Sequence, residues 1–463
     1  MGLIGRIQGP PVEAGRSEPS FFKRAKLTGA VSNAAKPVTA EQALFDYLKG
    51  RVQERIFQHN DPAKLEESGS TDLLDQISEA INAIIAQERL LLTDADRDRL
   101  VQLTINEMVG LGPLEPLLQD NDVSDILVNG YKETYVERRG KLIRTNVTFH
   151  DDQHVMRVIN RIVARVGRRI DESSPMVDAR LPDGSRVNAV IGPLAIDGPS
   201  LCIRRFGAFA NDISHLVERG SLTPEMAEFM HAAIGSRLNI LISGGTGSGK
   251  TTLLNCFSSF IPQDERIITI EDAAELRLQQ PHVLRLESRP ANVEGRGEIT
   301  QRELFKNTLR MRPDRIIVGE VRGGEVLDML QAMSTGHDGS MATIHANTPR
   351  DSLARLALMM LLTGISLPEH AMQQYIASAI NLVVQVNRFS DGSRKVVKIS
   401  EITGMETDVL LMQDLYEFVR TGLSPTGKIL GEFRSNGIRS KYADKMLAAG
   451  FTLGSIELQT ASA

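Results

Sequence analysis

Asn239-Ile240-Leu241-Ile242-Ser243-Gly244-Gly245-Thr246-Gly247-Ser248-Gly249-Lys250-Thr251-Thr252 decides how the rest of this chain is read. The apolar run predicts a buried strand, and Gly-x4-Gly-Lys-Thr follows it directly, ahead of a helix predicted from Thr251 to Phe260. Glycines let the backbone wrap an anion without Cβ clashes, while helix N-terminal N–H groups and the helix dipole favour phosphate. Lys250 is then expected on the β- and γ-phosphates of a nucleotide and the Thr251 hydroxyl on Mg²⁺.

The surroundings are those of a globular protein. The chain has 463 residues, which is room for about three domains. Its net charge is −5 and its pI about 6.1, so a direct nucleic-acid partner is not expected. Two cysteines, Cys202 and Cys256, sit in apolar runs and read as reduced core residues of a cytoplasmic protein. No apolar run has the length of a membrane span.

Along the chain, residues 1–40 read as a disordered basic arm. Residues 41–112 turn helical, with a stripe through Leu73, Ile77, Ile81, Ile84 and Ile85 and a second start at Thr93 with Asp96 as capping partner. Residues 113–207 alternate with period two around one amphipathic helix, predicting an α+β domain dense in arginine. Residues 208–223 read as a hinge. Residues 224–430 alternate apolar runs (Ile240 to Ile242, Ile267 to Ile270, Ile316 to Val318, Met341 to Ile344, Leu382 to Val386) with helical segments. This α/β pattern predicts a mostly parallel sheet whose ligands gather at the strand C-termini. Residues 431–463 read as a C-terminal tail.

Phosphoryl transfer needs an oriented water, a metal ion and positive charge on the leaving γ-phosphate. Strand Ile316-Ile317-Val318 runs into Gly319 and Glu320, a position for a general base or a Mg²⁺ contact made through water. Strand Ile268-Thr269-Ile270 ends in Glu271-Asp272, with Glu275 one turn on, so Glu271 and Glu275 are further candidate catalytic acids at the same sheet edge, while for Asp272 a helix cap is an equally good reading. His337 and His345 bracket the next strand. Two histidines make a poor metal site, and His345 is placed to sense the γ-phosphate. Arg310, Arg312, Arg315 and Arg322 lie close to Glu320 in sequence, and Arg168, Arg169, Arg180, Arg186, Arg204 and Arg205 stud the preceding domain. That density predicts two domains clamping one nucleotide.

Five signatures in order resemble the type II/IV secretion ATPase superfamily, and within it the tight-adherence pilus motors. They are Val177-Asp178-Ala179-Arg180-Leu181-Pro182-Asp183-Gly184-Ser185-Arg186-Val187-Asn188, the P-loop, Thr269-Ile270-Glu271-Asp272, Val318-Gly319-Glu320-Val321-Arg322, and His337 to His345. The resemblance implies a PAS-like sensory domain before a RecA-like P-loop NTPase domain, joined in a homo-hexamer that docks at the inner membrane on a polytopic pilus platform protein. It implies Glu320 as activator of the attacking water, His345 as γ-phosphate contact, and Arg186 with Arg204 or Arg205 as phosphate clamps. Departures are the missing four-cysteine zinc insertion and a Walker B strand without a terminal aspartate. A slow nucleotide-gated switch of the partitioning class would carry a lysine where Gly245 stands. A type IV secretion ATPase exporting protein or DNA is the nearer alternative.

Overall fold

The computed structural model describes residues 40–59, 70–138, 140–205, 212–291, 296–365 and 367–452. The expected basic arm up to residue 39, the first residues of the expected hinge and residues 453–463 lie outside the described residues.

Period-two patterning builds a six-stranded antiparallel sheet from β1 (Val123–Asn129), β2 (Glu133–Arg138), β3 (Lys141–Arg144), β4 (Met176–Arg180), β5 (Arg186–Val190) and β6 (Ser200–Arg204), in the order β3-β2-β1-β6-β5-β4. Ile126, Val128, Val187, Ala189, Leu201 and Ile203 face one way, against Val155, Ile159 and Ile162 of the helix Asp152–Arg165. Alternation therefore forces Arg186, Asn188, Cys202 and Arg204 onto the other face. Ahead of this sheet, helices Ala40–His59, Ser70–Glu88 and Asp94–Met108 bury Leu48, Val52, Ile77, Ile81 and Leu100 among themselves. Thr93 caps the third helix, its side chain accepting from the Asp96 amide.

The runs after residue 239 form the core of a nine-stranded sheet. Its strands are β7 (Ile240–Gly244), β8 (Ile267–Glu271), β9 (Val283–Glu287), β10 (Arg315–Val318), β11 (Met341–Ile344), β12 (Leu382–Arg388), β13 (Arg394–Glu406), β14 (Val409–Leu423) and β15 (Ile429–Ser435). The order is β15-β14-β13-β12-β7-β11-β10-β8-β9; β12 through β9 are parallel and β13 to β15 add an antiparallel meander. Both faces of the parallel part are covered. Ile240 and Ile242 share one core with Phe229, Leu254 and Phe257, and Leu241 shares the other with Leu330, Leu356 and Ile376. That is why these strands read as unbroken apolar runs.

Part of the expected tail proves to be folded. Residues 431–435 complete β15, and the helix Ala443–Ala448 buries Ala443 and Met446 in the core around Phe229. Glu401 holds this segment by accepting from Ser440 Oγ at 2.6 Å and the Lys441 amide at 3.0 Å. The segment's sparse apolar residues, spread over a short helix, hid it from a periodicity reading. No described helix is long and apolar enough to cross a membrane.

Candidate active site

Parallel strands share one C-terminal edge, and the order β7-β11-β10-β8 lays out four residues along it. The loop after β7 carries Lys250, β11 runs into His345, β10 into Glu320, and β8 ends in Glu271. Neighbouring strands lie about 4.8 Å apart, so consecutive side chains along this row can touch. Lys250 Nζ sits 3.3 Å from His345 Nε2, and His345 Nε2 lies 2.9 Å from Glu320 Oε1. Arg322 closes the row, its Nη2 on Glu320 Oε2 at 2.7 Å and its Nη1 3.6 Å from Asp272 Oδ2. Glu325 fixes the turn that presents Arg322, its Oε1 accepting from the Arg322 and Gly323 amides at 2.6 and 2.8 Å.

The P-loop itself requires glycine at the points of closest approach. A Cβ on Gly244 would overlap the Val386 carbonyl, and Gly249 adopts φ 99°, a left-handed conformation costly for other residues. The helix expected to begin at Thr251 begins at Lys250. Lys250 Nζ donates to the Gly244 and Gly245 carbonyls at 3.1 and 3.0 Å, and the Ser248 amide also turns to the Gly245 carbonyl, at 3.3 Å. The loop carbonyls thus occupy two donors, the Lys250 ammonium and the Ser248 amide, that phosphate oxygens would take in their place. Ser248 Oγ is buried without a partner, a polar atom aimed into the loop that suits an anionic oxygen.

Electrostatics fit the same ligand. Burial pushes the Lys250 ammonium down to about 8; Glu320 acts against this and Arg322 adds to it. An unfolded lysine stays protonated to about 10.5, so the cost of the buried charge weighs on the fold fully below pH 8 and is relieved as pH rises from 8 towards 10.5. A bound phosphate restores the proton. Nucleotide affinity is therefore expected to be flat below about pH 7.5 and to weaken by up to about tenfold per pH unit above 8, with proton uptake on binding. Calorimetry in two buffers of different ionisation enthalpy measures this; affinity constant from pH 7 to 9.5 would contradict it. His345 is also lowered, first by burial and then by the Lys250 charge, so a neutral ring faces Glu320.

Above this row the arginine-bearing face of the six-stranded sheet and the β8–β9 edge enclose a cleft of about 1020 Å³. Arg186, Arg204, Arg180, Arg168, Asp272 and Arg322 line it. Arg186 Nη1 meets Glu275 Oε1 at 2.5 Å and Arg180 meets Glu287 at 2.8 Å, tying the two domains across the cleft. Ser248, Gly249 and Thr252 face a second, smaller cavity of about 170 Å³, with Leu216, Arg219, Val386 and Arg394.

Several sequence expectations are corrected here. Arg205 is turned away from the cleft: one step past Arg204 on an alternating backbone, it donates to the Asp120 and Val123 carbonyls. Glu271 is 2% exposed, and its Oε2 accepts from the Glu275 and Leu276 amides at 2.7 and 2.9 Å, so it shapes the loop that carries Glu275 instead of facing substrate. Burial raises its pKa against those two amide bonds. Arg315 begins β10 while Glu320 follows its end, about 16 Å away at strand rise. There Arg315 is fully buried in an ion pair with Glu265 and bonds the Ile234 carbonyl at 2.8 Å. Of the four arginines near Glu320 in sequence, Arg322 is the one that reaches it. Arg394 escaped the sequence reading because nothing local marks a hairpin arginine as a neighbour of a loop more than a hundred residues earlier.

The family described as Type II/IV secretion system protein matches residues 107–409. A Mycobacterium tuberculosis protein named for conjugal transfer is 38% identical over 67% of this chain and 90% of its own length. The type IV secretion system protein VirB11 of Brucella suis is 31% identical over 63% of this chain and 88% of its own length. The crystal structure of the VirB11 ATPase from the Brucella suis type IV secretion system, in complex with sulphate, aligns at 30% identity with a TM-score of 0.34, covering 62% of this chain and 94% of that one.

Proposed function

The chain belongs to the type II/IV secretion system protein family, and from that premise we propose that it is a hexameric motor ATPase powering assembly of a tight-adherence type IV pilus through a polytopic inner-membrane platform protein. The observation that carries the chemistry is the contact row Lys250, His345, Glu320, Arg322 on adjacent strand ends. In this reading Lys250 leaves the Gly244 and Gly245 carbonyls for the β- and γ-phosphates, and the Ser248 amide follows. Glu320 takes the proton of the attacking water, oriented by the neutral His345. Arg322 offsets negative charge on the γ-phosphate side. Thr251, in the first turn after the P-loop, and Glu320 offer hard oxygen donors of the kind Mg²⁺ takes alongside phosphate oxygens, and that ion would neutralise charge between the phosphates.

Arg186 and Arg204 act from the opposite wall as phosphate clamps. Arg186 releases Glu275 to do so, which makes cleft closure and hydrolysis one event. The PAS-like character of the six-stranded domain and peripheral seating at the cytoplasmic face of the inner membrane belong to the same proposal.

A second reading, export of protein or DNA by a type IV secretion system, is favoured by the names of the relatives in Mycobacterium tuberculosis and Brucella suis. One replacement separates the two. In the bacterium that carries this protein, chromosomal Glu320→Gln is expected to abolish surface pili seen by electron microscopy and to leave conjugation and protein export at wild-type levels. Pili that persist while export stops would establish the second reading.

A further inference from the structure

Two arginines face each other at the turn end of the β12–β13 hairpin, where Arg388 pairs in register with Arg394. Like charges directly opposite on antiparallel strands destabilise a ladder, so their placement calls for partners. The hairpin's own acid does not serve: Asp391 is spent on the Ser393 amide at 3.0 Å, the Ser393 hydroxyl at 2.6 Å and the Ile429 amide at 2.8 Å. Arg388 instead reaches the six-stranded domain, donating to the Gly140 carbonyl and standing 3.4 Å from Glu137. Arg394 reaches the P-loop, where its Nε donates to the Gly247 carbonyl at 3.0 Å. Both press on the loop. A Cβ on Gly247 would lie 3.0 Å from Arg388 Nη1, and one on Gly249 would lie 3.2 Å from Arg394 Cδ.

The Gly247 carbonyl and the Ser248 amide belong to one planar trans peptide, so they point in opposite directions. A donor that fixes the carbonyl outward fixes the amide inward, towards the Gly245 carbonyl it now meets and the phosphate that would replace it. We propose that Arg394 is a positioning residue of the P-loop that holds the Ser248 N–H in its anion-binding orientation, and that Arg388, anchored to the β2–β3 turn, sets where Arg394 stands. Nucleotide affinity then depends on how the six-stranded domain is docked, through a contact outside the phosphate site. This inference rests on the nucleotide-site reading above and adds residues that do not touch the reacting atoms.

The test uses the full chain, a fluorescent ADP analogue for binding, steady-state ATP hydrolysis, and nucleotide-free thermal unfolding. Arg394→Gln is expected to raise the analogue's Kd and the KM for ATP about tenfold, the worth of one charge-assisted hydrogen bond, with kcat within about twofold and unfolding unchanged. Arg394→Lys, which can donate to the same carbonyl, should recover about half of that loss on a logarithmic scale. Arg388→Gln should raise KM about threefold, and combined with Arg394→Gln should add nothing further, because both act through one peptide. Unchanged KM in Arg394→Gln, or additive effects in the double variant, overturns the proposal. A wild-type protein that binds no nucleotide overturns the P-loop reading itself, whereas wild-type binding with an unaffected Arg394→Gln overturns this inference alone.

Discussion

Lys250→Ala is expected to weaken nucleotide binding by about a hundredfold or more. Lys250 is 7% exposed and its ammonium is held 3.0 to 3.1 Å from two loop carbonyls that a phosphate would displace. Truncating one member of a buried charged pair costs about 3–5 kcal/mol, or roughly two to three and a half decades of affinity. Most of that loss should appear as faster dissociation, since the electrostatic approach of nucleotide still has Arg322 and Arg394 to steer it. Binding of the fluorescent ADP analogue to folded Lys250→Ala within tenfold of wild type would show that the loop does not use its lysine. Circular dichroism establishes folding, because the freed Gly244 and Gly245 carbonyls also lose a partner.

Glu320→Gln should behave in the opposite sense, binding ATP while hydrolysing it about 10²- to 10⁴-fold more slowly, the usual span for loss of a positioned acid–base group. The amide keeps the shape and can still bond His345 and Arg322, now at 2.9 and 2.7 Å from the carboxylate. What it loses is basicity. It also removes the negative charge that supports the Lys250 ammonium, so tight binding there depends more heavily on the incoming phosphate. Trapped ATP counted after rapid desalting, together with single-turnover rates, separates the two effects. Turnover within tenfold of wild type would move the base elsewhere, with Glu275 next in position once Arg186 has left it.

The two variants divide the site into a loop that binds and a row that reacts. That division was partly visible in sequence. The P-loop, the strand preceding it, and Glu320 and His345 at the ends of apolar runs all follow from local pattern, because parallel buried strands must be apolar throughout and must deliver their next residue to one edge. The capping pair at Thr93 and Asp96 was equally local. Less was visible wherever side-chain direction decided the role. Arg204 and Arg205 are neighbours of one type, yet alternation sends one to the cleft and the other to the carbonyls of Asp120 and Val123. Glu271 shares the strand-end position of Glu320, but the loop after β8 folds back over it and takes its carboxylate.

What the sequence determined by itself was the chemistry that must exist: an anion loop, a strand-end acid, a strand-end imidazole and a surplus of arginine. These are set by residue type and by periods of two and 3.6, which act within a few residues. The tertiary structure alone decided the order β7-β11-β10-β8 that brings Lys250, His345 and Glu320 into contact, and it alone chose which arginines join them. Strand order and the return of the β12–β13 hairpin to the P-loop depend on contacts between segments separated by 95 residues for Lys250 and His345 and by 147 for Gly247 and Arg394. Chain entropy makes such pairings a property of the whole fold, and no window of sequence contains them.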